Sequence, residues 1–140
     1  MSIPAVLLPV FVQVVLTFVL LFWMGGARVA AVSRGAVKVR DIALGQSAWP
    51  ERETQIANCF HNQLQLPVLF YVLVALALLT RKADLVFVVL SWAFVLLRLL
   101  HAFIHVTSNH VPTRFRWFLA GAVVLLLMWG IFTVRIVTGW

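Results

Sequence analysis

Leu85-Val-Phe-Val-Val-Leu-Ser-Trp-Ala-Phe-Val-Leu-Leu97-Arg98-Leu-Leu100-His101-Ala-Phe-Ile-His105-Val106 is apolar throughout except for one serine, one arginine and two histidines. A bilayer core is crossed by about 20 apolar helical residues rising 1.5 Å each, so this stretch is long enough to span it. A cation that deep costs about 2.5–3.5 kcal/mol on insertion scales, and is met by a counter-charge, backbone carbonyls or a wet cavity. The segment therefore predicts a membrane-spanning helix that also walls a polar pocket.

The neighbouring sequence repeats the pattern. A first apolar run, about Ile3–Met24, is interrupted only by Pro4, Pro9, Gln13 and Thr17, and Gly25-Gly26 and Arg28 mark its end. It lacks the basic start and short apolar core of a cleaved signal peptide, so it reads as a retained helix. A basic loop with Arg34, Lys38 and Arg40 closes on Trp49-Pro50, and Pro50 followed by Glu51 and Glu53 is a helix-start signal. The segment that follows is polar at first and fully apolar from Pro67 to Leu79; Arg81, Lys82 and Asp84 form a turn, and Thr107–Pro112 a second loop. The expectation is one all-α integral membrane domain over residues 1–140, a four-transmembrane-helix bundle with helices at about 3–27, 51–79, 84–106 and 113–137. Strands are set aside, because a membrane barrel needs alternating segments of about ten residues. Trp23, Trp49, Trp117 and Trp140 fall where an interfacial aromatic belt would place them.

Composition agrees. The 140 residues are 64% hydrophobic and 11% charged, against about 45–50% apolar in a soluble domain. The lipid bilayer is thus the expected environment. The net charge of +7 is accounted for by basic loops, as topology requires, so nucleic acid is not an expected partner. Arg28, Arg34, Lys38, Arg40, Arg52, Arg114 and Arg116 fall on one face, seven in all, and Arg81, Lys82 and Arg135, three in all, on the other. The positive-inside rule then puts loops 1–2 and 3–4 in the cytoplasm and both termini outside. Cys59 is the single cysteine, which excludes an intrachain disulfide.

Two polar stripes stand out. Gln55, Asn58, Asn62 and Gln65 follow each other at spacings of three, four and three, which would align them on one face of a continuous helix. Arg98, His101 and His105 share a face of the third segment, and Arg114 opens the fourth at the same side of the membrane. A cationic, amide-lined cavity of this kind suits an anion with hydrogen-bonding groups: arginine binds carboxylates bidentately, and amides both donate and accept. Asp41, Glu51, Glu53 and Asp84 all lie near helix ends or in loops, so no acid is at hand to pair with Arg98. The same lack argues against a proton-coupled multidrug pump. His61, His101, His105 and His110 do not form the three- or four-ligand set a metal needs, and no metal is expected. Cys59 reads as a buried structural thiol.

Arg98-x-x-His101-x-x-x-His105 followed by Pro112-x-Arg114 resembles the MAPEG family, the membrane-associated proteins in eicosanoid and glutathione metabolism, which includes microsomal glutathione transferases and the prostaglandin E synthases. Asn62-Gln-Leu-Gln65-Leu-Pro67 resembles that family's Asn-x-x-Glu before a proline, and Glu51-Arg52 its Glu-Arg helix opening. The resemblance covers nearly the whole chain. It implies a homotrimer binding glutathione between subunits near the cytoplasmic face, with transferase, isomerase or peroxidase activity on a lipophilic electrophile. By position, Arg114 matches the arginine that stabilises the glutathione thiolate. Asn62, Gln65, Arg98 and His101, with His105, Asn58 and Arg52, match glutathione-site positions. The chain departs from the pattern at Gln65, where the family carries an acid, at Asn58, where it carries arginine, and at His105, where it carries tyrosine. Those departures leave a second expectation open, a non-catalytic family member that binds lipid or a partner.

Overall fold

The structure is a computed structural model that describes residues 1–45 and 48–139. Its helices are α1 (Ile3–Ser33), α2 (Glu51–Asn62), α3 (Leu66–Leu79), α4 (Leu85–Val106) and α5 (Val111–Thr138), with a 3-10 turn at Val39–Ile42. Among the described residues there is no strand. With α2 and α3 forming one span, four segments are long and apolar enough to cross a membrane. Trp140, expected in the aromatic belt, lies outside the described residues.

The second span is not the continuous helix expected over 51–79. Residues 63–65 form a turn between α2 and α3. Pro67 has no N–H, and its ring excludes the carbonyl four residues back, which is that of Gln63. The chain tightens instead: Gln63 and Leu64 donate to the carbonyls of Phe60 and His61 at 2.9 and 3.0 Å. The break also overturns the single face expected for Gln55, Asn58, Asn62 and Gln65, because Gln65 now lies beyond the end of α2 and helical phase is lost.

The first helix runs past the expected end near residue 27 to Ser33. Gly25 and Gly26 weaken a helix interior without breaking it, and Arg28 is held with its guanidinium 4.8 Å from the Trp49 ring. The helix stops where Gly35, at φ +75°, and Ala36 donate back to Val32 and Ala31. This is a C-terminal motif that needs one left-handed residue. α3 ends the same way, with Arg81 and Lys82 donating to Leu78 and Ala77 at 3.2 and 2.9 Å. Its left-handed residue, at φ 56°, is Arg81. For a residue with a side chain that conformation costs about 1–2 kcal/mol.

The contact of α4 against α5 is the most extensive, and α1 is seated on α2 and α4. The main apolar core includes Phe70, Leu73 and Val74 of α3, Phe94 and Val95 of α4, and Leu125 and Met128 of α5. The Phe70 and Phe94 rings meet at 4.8 Å. This core occupies the end of the bundle at the α3–α4 turn. There Arg135 pairs with Asp84 at 2.6 Å, and Asp84 also caps α4 by accepting from the Phe87 N–H at 2.9 Å. The Arg135 guanidinium holds the Asp84 carboxyl below its ordinary carboxylate range, against the opposing effect of desolvation. At the other end Arg34 pairs with the buried Glu53 at 2.6 Å. Outward-facing Phe18, Phe22, Leu126 and Val137 are exposed, as a lipid-facing surface requires.

Candidate functional site

The two polar stripes meet where α2 breaks. Arg98, His101 and His105 are all buried on one face of α4. Arg98 donates to the side-chain oxygen of Asn62, and more weakly, at 3.4 Å, to the Asn62 carbonyl and to Gln63 Oε1. The break leaves the Asn62 carbonyl available for the weaker of these contacts, because the carbonyl groups at the end of a helix lack helical partners. Gln63 is fully buried and donates to the Cys59 carbonyl at 3.0 Å. It also accepts from Gln13 Nε2, on α1, at 3.0 Å. Two amides at the end of α2 thus supply the acceptors that the missing carboxylate would have offered Arg98, whose Nε and Nη1 remain buried without a partner.

A cleft of about 230 Å³ opens beside this network. Asn62, Gln65, His101, His105 and Arg114 line its polar part, and Val111, Phe115 and Phe118 its apolar part. Asn62 donates to Gln65 Oε1 at 3.2 Å, so the two amides act as a pair. The His101 and His105 rings meet edge to face at 5.5 Å, and Phe118 packs on His101 at 5.8 Å. Both histidines keep a buried Nδ1 with no hydrogen-bond partner.

Arg114 is placed by the loop before it. Asn109 adopts φ 49° and donates its N–H to the Ile104 carbonyl at 2.8 Å, closing the end of α4. Asparagine tolerates that conformation better than most residues. Its Oδ1 then accepts from Arg114 Nη1 at 2.5 Å.

Five of the residues expected in the site therefore line one cleft: Asn62, Gln65, His101, His105 and Arg114. Three do not. Arg98 is fully buried behind Asn62, with its guanidinium 5.9 Å from the Phe118 ring. Arg52 lies under Trp23 at 5.3 Å and donates to the Val106 carbonyl at 2.5 Å, tying α2 to the end of α4. Gln55 adds to that tie by donating to the His105 carbonyl at 2.7 Å. Asn58 is exposed and is not part of the cleft lining. Sequence reasoning missed Gln13, Gln63 and Asn109 as organising residues. Gln13 did carry a signal, an amide in the middle of an apolar run, whereas Gln63 falls outside the three-and-four spacing of its neighbours.

Comparison with protein-family profiles matches the MAPEG family over residues 6–134. The chain belongs to the MAPEG family. No curated protein and no solved structure gives a match. MAPEG membership fits the four spans, and the matched region contains every residue of the cleft. The family includes glutathione transferases and related non-catalytic members.

Proposed function

We propose that this MAPEG protein is a glutathione-dependent transferase, isomerase or peroxidase acting on a lipophilic electrophile. The observation that carries the reading is the convergence of Arg114, two histidines and the Asn62–Gln65 amide pair on one cleft with an aromatic side. A thiol of pKa about 8.5 is mostly protonated at neutral pH, and a cation beside it raises the fraction of reactive thiolate. Arg114 supplies that cation, and its bond to Asn109 holds the guanidinium at the cleft rim. Asn62 and Gln65 offer donors and acceptors to a peptide-like backbone. Phe115 and Phe118 provide an apolar surface for the electrophile. The thiolate sulfur attacks the electrophilic carbon, and in a transfer reaction the leaving group departs with its bonding electrons. Arg98 acts one layer behind, fixing Asn62.

The functional unit in this reading is a homotrimer in which a neighbouring protomer closes the cleft. The excess of cations at the 34–50 and 107–110 end of the bundle supports a cytoplasmic cleft, with both termini outside. One observation favours a second reading, a non-catalytic binding role: no carboxylate lines the cleft to pair with the glutathione amine, since Gln65 is an amide.

The test is turnover of glutathione with chlorodinitrobenzene by the purified protein, with Arg114→Ala as control, alongside a glutathione-induced thermal shift. Turnover that depends on Arg114 supports the enzyme. A thermal shift without turnover supports the binding role. Absence of both signals sinks the glutathione reading.

A further inference from the structure

The hydrogen bonds behind the cleft all run in one direction. A guanidinium can only donate. Arg98 Nη2 donates to Asn62 Oδ1, which fixes the orientation of that amide. Asn62 Nδ2 then donates to Gln65 Oε1 at 3.2 Å. Both side-chain oxygens of the pair are thereby occupied, and among the described residues Gln65 Nε2 has no partner. Gln63 is oriented from its other end. Its Nε2 donates to the Cys59 carbonyl, which can only accept, so its Oε1 is left to Arg98 and Gln13. A buried cation therefore sets the polarity of the amides in front of it, and the chain ends at the cleft in an N–H group.

Charge points the same way. Arg98 is fully buried, and Arg114 lines the cleft. Among the described residues neither is in an ion pair: the three pairs are Arg34–Glu53, Arg40–Asp41 and Arg135–Asp84. The chain has four acids in all, and the remaining one, Glu51, is exposed at the start of α2 and is not part of the cleft lining. Two cations thus act on the cleft with no counter-charge from the same protomer, and an uncompensated buried charge is costly. His101 and His105 each keep a buried Nδ1 without a partner. Orphaned buried N–H groups are rare, so each ring, when neutral, holds its proton on Nε2 and offers a donor, not an acceptor.

Resting on the glutathione reading above, we propose that the cleft holds its thiol cosubstrate by carboxylates alone and offers no site to an ammonium group. Amine-free or N-acylated anionic thiols are then ligands at least as good as glutathione. A carboxylate supplies the missing counter-charge and accepts from Arg114, the histidines and the Gln65 amide. An ammonium group has donors only, and here it meets N–H groups and two like charges.

Calorimetric titration of the full chain in non-ionic detergent tests this with three ligands. They are glutathione, N-acetylglutathione, whose amine is blocked while both carboxylates remain, and glutathione diethyl ester, whose amine remains while both carboxylates are blocked. N-acetylglutathione is expected to bind as tightly as glutathione or more so. The diester should bind about tenfold more weakly or worse, the scale of one lost hydrogen bond to a charged group. Gln65→Glu places a carboxylate at the end of the amide chain, where it still accepts from Asn62. Because Gln65 is exposed, this variant should keep the parent's melting temperature. It should reverse the order, with glutathione ahead of N-acetylglutathione by about tenfold. A parent that prefers glutathione, as a carboxylate supplied by a neighbouring protomer would produce, overturns the proposal. So does a diester that binds as well as glutathione, or a folded Gln65→Glu variant with the parent's order. No binding of all three ligands sinks the glutathione reading itself, and this inference with it.

Discussion

The Arg98 guanidinium donates to the side-chain oxygen of Asn62, so the most deeply buried cation of the molecule is tied to a residue that lines the cleft. The tie crosses from α4 to the last residue of α2. It joins the buried layer of Gln13 and Gln63 to the half-buried Asn62 and the exposed Gln65.

Arg98→Met keeps most of the side-chain volume and removes every donor. Asn62 and Gln63 lose a charged partner, and such hydrogen bonds contribute about 1.5–3 kcal/mol. The expected result is a loss of roughly that size in unfolding free energy in detergent. Glutathione affinity should fall too if Asn62 contacts that ligand, as a calorimetric titration would show.

Gln13→Leu tests the layer behind. Interhelical hydrogen bonds in membranes average about 0.6 kcal/mol and reach about 1.7. The variant should therefore be destabilised by less than Arg98→Met, since Gln63 keeps its bonds to the Cys59 carbonyl and to Arg98. A larger loss than that of Arg98→Met would show that Gln13, not Arg98, organises the layer.

Asn109 separates backbone from side-chain effects. Asn109→Gly keeps the left-handed turn and removes the acceptor of Arg114, whereas Asn109→Asp keeps the acceptor. If Arg114 stabilises the thiolate, Arg114→Ala should cut kcat for conjugation by about 100-fold or more, the scale for removing one charge-stabilising group. Asn109→Gly should give a smaller fall, and Asn109→Asp should retain activity. Initial rates with chlorodinitrobenzene measure all three.

Asp84 gives a pH dependence whose sign follows from its environment. Its folded carboxyl titrates below the ordinary range because Arg135 and the Phe87 N–H favour the ionised form. Its contribution is therefore fully present above about pH 4, the unfolded value, and fades as the pH falls through the lower folded value. Asp84→Asn should flatten the acid limb of the stability curve. The ion pair itself contributes little, because the Asp84 side chain is 44% exposed. Losing the cap, by Asp84→Ala, should cost about 1 kcal/mol at neutral pH.

Much of the molecule was legible before folding. The apolar runs fixed the spans, because backbone polar groups in lipid must be satisfied within a helix. His101, His105, Asn62, Gln65 and Arg114 could be gathered at one level from spacing and depth alone. The helix break was signalled by Pro67 yet missed, because apolar periodicity resumes at once on its far side.

The sequence by itself determined that this chain lives in a bilayer as helices and that a cation lies deep inside one of them. Hydropathy and spacing are local, and they act before any two segments meet. Only the tertiary structure decided which polar groups answer one another. Spacing gives the direction of a side chain on its own helix and not the partner across the interface, and the turn at 63–65 reset the phase of the second span. Arg98 therefore became a buried support for Asn62 instead of a wall of the cleft, and Gln13, fifty residues away from Gln63, became part of the same layer.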